Sequence, residues 1–159
     1  MNRFNRIIQY YHMLAGGDLS YYQRIIISVL YRFFRWYYHC DIPSTAVIKD
    51  VYFCHNGFGI VINPKARIGK GTVIQHRVTI GEIGDGVPCI GENCYIGAGA
   101  IVIGKITIGN NVKIGAGAVV ITDIPSNSTA VGVPARVVSN ERPLNEFNTR
   151  NEIQSGSKE

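Results

Sequence analysis

The chain is poor in charge and in the residues that metal and disulfide chemistry use. Of its 159 residues 17% are charged and 46% hydrophobic, which fits one folded globular domain with at most an appendage and excludes a disordered chain. The four cysteines, Cys40, Cys54, Cys89 and Cys94, form no CxxC pair and have no ligand spacing. They read as reduced thiols of a cytosolic protein. In the repeat region described below only His55 and His76 are histidines, so a three-histidine zinc site lacks its third ligand and no metal is expected. No uncharged run is long enough to span a bilayer, and no basic-then-apolar leader is seen. The expected location is therefore the cytoplasm. No nucleic-acid motif accompanies the basic residues, and no nucleic-acid partner is expected.

Acidic residues are scarcest near the N-terminus. Residues 1–40 carry Arg3, Arg6, Arg24, Arg32 and Arg35 against Asp18 alone, together with 11 of the 16 aromatic residues. Residues 4–14 and 20–39 read as two helices broken at Ala15–Asp18. In the second, Arg24, Ser28, Arg32, Arg35 and His39 make one polar stripe on an otherwise apolar cylinder. Such a helix is expected to pack on a sheet edge or a neighbouring subunit. The competing expectation is peripheral contact of residues 20–39 with an anionic membrane, at its inner face.

What the chain has in abundance is a six-residue period. Ile or Val recurs at 62, 68, 74 and 80, then at 90, 96, 102, 108, 114 and 120, often with Gly next. This period is neither helical nor simple strand alternation, and it predicts a β-solenoid stabilised by coil-on-coil burial. The period breaks twice, at Val51–Gly59 and between Ile80 and Ile90, where GEIGDGVPC reads as an outward loop. The predicted organisation is a helical segment over 1–40, a solenoid over 41–138 and a polar tail over 139–159.

The runs IGENCYIGAGAIVIGKITIGNNVKIGAGAVV, TAVGVPARVV and GIVINPKARIGKGTVI resemble the hexapeptide-repeat acyltransferases. The nearest likeness is to the serine acetyltransferase-like group with its small exopolysaccharide and capsule (colanic-acid-type) O-acetyltransferases. The resemblance implies a left-handed parallel β-helix, a homotrimer with sites in the grooves between subunits, and acetyl-CoA as co-substrate. It also implies a catalytic pair, Asp41 in DIPS and His55 in FCHNGFG. Neutral His55 would take the proton from an acceptor hydroxyl attacking the thioester, and Asp41 would hold the imidazole tautomer. It places Gly81, Ala98, Lys113 and Ala116 along the CoA and gives His76 to the acceptor. Cys54 is an alternative nucleophile in principle, but as neighbours on extended backbone Cys54 and His55 should face apart.

Serine acetyltransferases of this group carry Arg-His-Pro where this chain has Gly86-Val87-Pro88, and commonly an Asp where it has Cys54. A serine zwitterion needs charged partners. The expected acceptor is therefore a sugar hydroxyl of a polysaccharide precursor, met by hydrogen bonds and by exposed aromatics, Phe53 and Phe58. The alternatives are L-serine, a zinc-dependent hydratase of related fold, and a non-catalytic solenoid that serves assembly.

Overall fold

A computed structural model describes Asn5, Ile8, Tyr11, residues 20–48 and residues 50–139. Four coils of three short strands follow one another. They are β1 (Val47–Ile48), β2 (Tyr52–Phe53) and β3 (Val61–Ile62); β4 (Arg67–Ile68), β5 (Val73–Ile74) and β6 (Thr79–Gly81); β7 (Cys89–Ile90), β8 (Tyr95–Ile96) and β9 (Ile101–Ile103); β10 (Thr107–Ile108), β11 (Lys113–Ile114) and β12 (Val119–Val120). Equivalent strands of successive coils pair in parallel, giving three sheets, β1-β4-β7-β10, β2-β5-β8-β11 and β3-β6-β9-β12. The protein is a parallel β-solenoid.

All ten Ile and Val residues of the period point inward and are at most 2% exposed. Burying each such side chain stabilises the fold by roughly 1.5–3 kcal/mol. A second interior column, two residues earlier in each repeat, holds Ile60, Ala66, Thr72, Val78, Cys94, Ala100, Ile106, Val112, Ala118 and Ile124. The Thr72 hydroxyl in that column is satisfied: it donates to the Gly91 carbonyl at 3.1 Å and accepts from the Cys94 amide at 3.3 Å. At the corners the coils approach too closely for a side chain. A Cβ on Gly97 would lie 2.5 Å from the Ala116 nitrogen.

The first period break has a simple origin. Phe53 takes the inward place in coil one, five residues after Ile48, and pairs with Ile74. It is 1% exposed, which corrects the expectation that its ring is free to meet an acceptor. The nine residues from Phe53 to Ile62 then leave three extra at one corner. The second break is an outward loop, as expected. Ile83 and Gly86 bridge across it, and Glu82 is tied to Lys65 at 3.6 Å.

Open strand edges need partners. On coil one, Asn5 uses its carboxamide as a surrogate strand: its Nδ2 donates to the Phe53 carbonyl at 3.3 Å and its Oδ1 accepts from the Phe53 amide at 2.9 Å. The Tyr31 hydroxyl does the same for Ile42, donating to its carbonyl at 2.7 Å and accepting from its amide at 3.2 Å. Tyr31 belongs to helix α1 (Tyr21–Tyr38), which starts in a capping box between Ser20 and Gln23 and ends at His39 in left-handed backbone. Beyond coil four, β13 (Thr129–Gly132) adds to the second sheet, and β14 (Ala135–Ser139) folds back antiparallel on it. The first helix expected at 4–14 is seen as helical backbone at Asn5, Ile8 and Tyr11. The expected tail beyond Ser139 lies outside the described residues.

Candidate active site

The three extra residues at the coil-one corner place His55. Cys54–Gly57 form a 3-10 turn in which His55 (φ 49), Asn56 (φ 54) and Gly57 (φ 63) are all left-handed, and Gly59 (φ 69) follows. Non-glycine residues in this region cost about 1–3 kcal/mol each and gather at functional sites. Asn and Gly after His tolerate it best. The loop is pinned by Phe58 N to His55 O at 3.3 Å, Gly59 N to Tyr38 O at 3.4 Å and Arg77 N to Phe58 O at 2.8 Å.

The turn corrects the picture of Cys54 and His55 as neighbours on extended backbone. His55 is exposed at the corner, while Cys54 turns partly inward and its sulfur accepts from Gln75 Nε2 at 3.1 Å. Burial pushes the Cys54 thiol above its ordinary range, and the Gln75 hydrogen bond offsets only part of that. A protonated, partly buried thiol is a weak nucleophile.

One coil further on, His76 occupies the same corner. Its ring meets that of His55 edge to face, with centroids 4.9 Å apart and planes at 88°. His76 Nδ1 is buried and has no hydrogen-bond partner among the described residues. A buried polar atom left unpaired costs about 1–3 kcal/mol, so this nitrogen is ready to accept or donate when a ligand enters.

The corner continues as a track. Gly99 N donates to His76 O at 3.0 Å, and Gly117 N to Ala98 O at 2.9 Å. His55, His76, Ala98 and Ala116 therefore stand on one edge of the solenoid, with imidazoles at one end and small side chains along the rest. Lys113 lies in β11, just before this edge. Gly81 does not join it: it ends β6, which belongs to the third sheet, and so sits at the next corner of the coil.

Asp41 stacks on the first coil beside β3. Its amide donates to Ile60 O at 2.7 Å, and Ile62 N donates to its carbonyl at 2.8 Å. Its carboxylate is held by Arg35 of α1 at 3.2 Å. Phe58 is exposed and meets the His39 ring at 5.8 Å. Sequence reasoning missed the Arg35–Asp41 pair and the His55–His76 contact. The first links residues on either side of the helix end. The second depends on a corner whose geometry no spacing reveals. Among the described residues no three His, Cys, Asp or Glu side chains converge as a metal site would require.

A coiled ladder of hexapeptides with an imidazole-bearing edge defines a class: the hexapeptide-repeat solenoid that transferases use. Residues 90–122 match the model "Bacterial transferase hexapeptide (six repeats)". The curated relatives include the serine acetyltransferase of Synechocystis sp., 43% identical over 136 residues, covering 83% of this chain and 53% of that protein. That of Staphylococcus xylosus is 36% identical, covering 80% of this chain and 61% of that protein. Among solved structures, soybean serine acetyltransferase complexed with serine superposes with a TM-score of 0.72 at 36% identity, over 85% of this chain and 56% of that one. A serine acetyltransferase in complex with CoA gives 0.71 at 30% identity, over 85% and 55%. The chain thus spans between about half and three fifths of the length of these two curated relatives. These likenesses overturn the expectation of a sugar-hydroxyl acceptor, and they give no support to a special closeness to colanic-acid-type enzymes. The missing Arg-His of the second loop weighed against serine, but relatives and solved structures that match this chain are serine acetyltransferases.

Proposed function

We propose that the chain is an acetyl-CoA-dependent O-acetyltransferase whose acceptor is L-serine. The observation that carries this reading is the 36% identical likeness to a serine acetyltransferase complexed with serine, over 85% of this chain. His55 is the general base. It removes the proton of the serine hydroxyl as that oxygen attacks the thioester carbonyl, CoA thiolate leaves and takes up a proton, and O-acetylserine forms without a covalent enzyme intermediate. Asp41 orients and steadies the imidazolium. His76 meets the acceptor through its unpartnered Nδ1, with Phe58 and Cys54 at the margin of the same corner. Because residues 86–88 offer no cation, Arg77, next to His76 on the corner, is the nearest candidate in sequence for the serine carboxylate.

In this reading acetyl-CoA lies along the edge lined by Ala98 and Ala116, with Lys113 near a phosphate. The assembly is a homotrimer with the groove between subunits. Gly81, on another corner, then approaches the thioester of a neighbouring subunit. The corresponding location is the cytoplasm. Thiol release from acetyl-CoA, followed with a chromogenic disulfide, tests the acceptor. Release that requires L-serine, and that D-serine and simple sugars do not support, is expected. Release with no dependence on L-serine sinks the assignment.

A further inference from the structure

We propose that the outward face of α1 docks on an anionic lipid surface, independently of the acetyl-transfer reading. Among its described side chains the helix binds the solenoid by one side: Phe34 is 9% exposed, Tyr31 closes the Ile42 edge, and the Tyr38 ring lies tilted against Phe34 at 4.6 Å. The opposite side presents Tyr22, Ile26, Val29, Phe33, Trp36 and Tyr37, each between 58% and 76% exposed. A contiguous apolar patch of this kind is not left to water on a soluble surface.

The charge pattern selects the occupant. Between Leu19 and Cys40 there is no acidic residue, whereas Arg24, Arg32 and Arg35 all fall there. Arg32 is exposed, and Arg35 is exposed though paired with Asp41. Two copies packed face to face through this helix would leave Arg32 of each beside a helix that offers no carboxylate to pair it. An anionic bilayer complements Arg32. Arg32 also borders a shallow groove of about 380 Å³ lined by Tyr21, Ile25, Ser28 and Val29, which sets a guanidinium beside an apolar floor, as a phosphate headgroup over acyl chains requires. Trp and Tyr are the side chains that settle at headgroup depth. No described helix is long and apolar enough to cross a membrane, so the helix lies in the interfacial plane.

The full chain is mixed with vesicles of phosphatidylcholine alone or with about one third phosphatidylglycerol, a mole fraction that gives a strongly negative surface. Trp36 is the one tryptophan of the chain, so its emission reports this face directly. Flotation with the anionic vesicles and a blue shift of Trp36 emission are expected, with binding at least about fivefold tighter than to neutral vesicles, the factor one surface arginine supplies. Val29→Asp with Phe33→Asp, both at exposed positions, is expected to lose binding at least about tenfold while circular dichroism stays unchanged. Equal binding to both vesicles, or none to either, overturns the proposal. So does a wild-type assembly larger than that of the double variant without vesicle binding, which would make a second copy the occupant. None of these readouts uses acetyl transfer, so they fail or succeed separately from it.

Discussion

At the scale of single residues, the arrangement turns on one corner position repeated down the solenoid. His55, His76, Ala98 and Ala116 occupy it in successive coils, so the imidazoles sit at one end and close approach to the backbone is allowed along the rest. Filling the track should therefore separate binding from chemistry. Ala116→Leu, at an exposed position, is expected to raise the KM for acetyl-CoA by at least about tenfold, with kcat changed much less, because it removes binding common to ground and transition states. Steady-state kinetics with acetyl-CoA varied checks this, and an unchanged KM would take Ala116 out of the groove. The Ile and Val column was legible in the sequence because branched aliphatics at a fixed period stand out. The second column was not, since Ala66, Thr72, Cys94 and Ala118 share small volume rather than a chemical type. His55 was singled out by the family likeness and the broken period. Its contact with His76 needed the three left-handed residues at the corner, which leave no trace in spacing.

At the scale of elements, the ends of the solenoid are closed by side chains acting as strand partners and by a reversed strand. Tyr31 satisfies both backbone groups of Ile42 with one hydroxyl. Tyr31→Phe leaves that amide and carbonyl short of a partner at a half-buried site and is expected to cost about 1–3 kcal/mol. A chemical-denaturation midpoint read by far-UV circular dichroism measures it, and an unchanged midpoint would mean that water replaces the hydroxyl without cost. The capping role of this helix was half legible. The polar stripe and apolar excess were visible in sequence, and packing on a sheet edge is one of the two fates they suggested. Which side packs was not, because apolar residues surround nearly the whole cylinder. The choice is made by Tyr31, Phe34 and Tyr38, which share the face turned to Ile42. The first break in the repeat was likewise located but not explained. A one-residue deletion before Phe53 and a three-residue insertion after it add up to a spacing that conceals both.

At the scale of the whole molecule, stability should fall in alkali. Burial, with the Asp41 carboxylate adding to it, pushes the Cys40 thiol up to about 11, and burial likewise raises the Tyr31 hydroxyl above its ordinary value. Both groups keep their protons longer when folded than when unfolded. Unfolding therefore releases protons above pH about 9, and the folded state loses up to about 1.4 kcal/mol per pH unit per group from there until the folded group itself ionises. Urea midpoints at pH 8 and near pH 10.5 check the sign: the higher pH should give the lower midpoint, and an equal or higher midpoint would contradict the burial of these groups.

In the proposed function the broken corner of coil one, not the regular repeat, performs the chemistry. The direct measurement is CoA release from acetyl-CoA with L-serine for His55→Ala against the unmodified chain, with matching circular dichroism. A loss of about a hundredfold or more is expected for removal of a general base; a rate within a few fold of the unmodified chain would contradict the account.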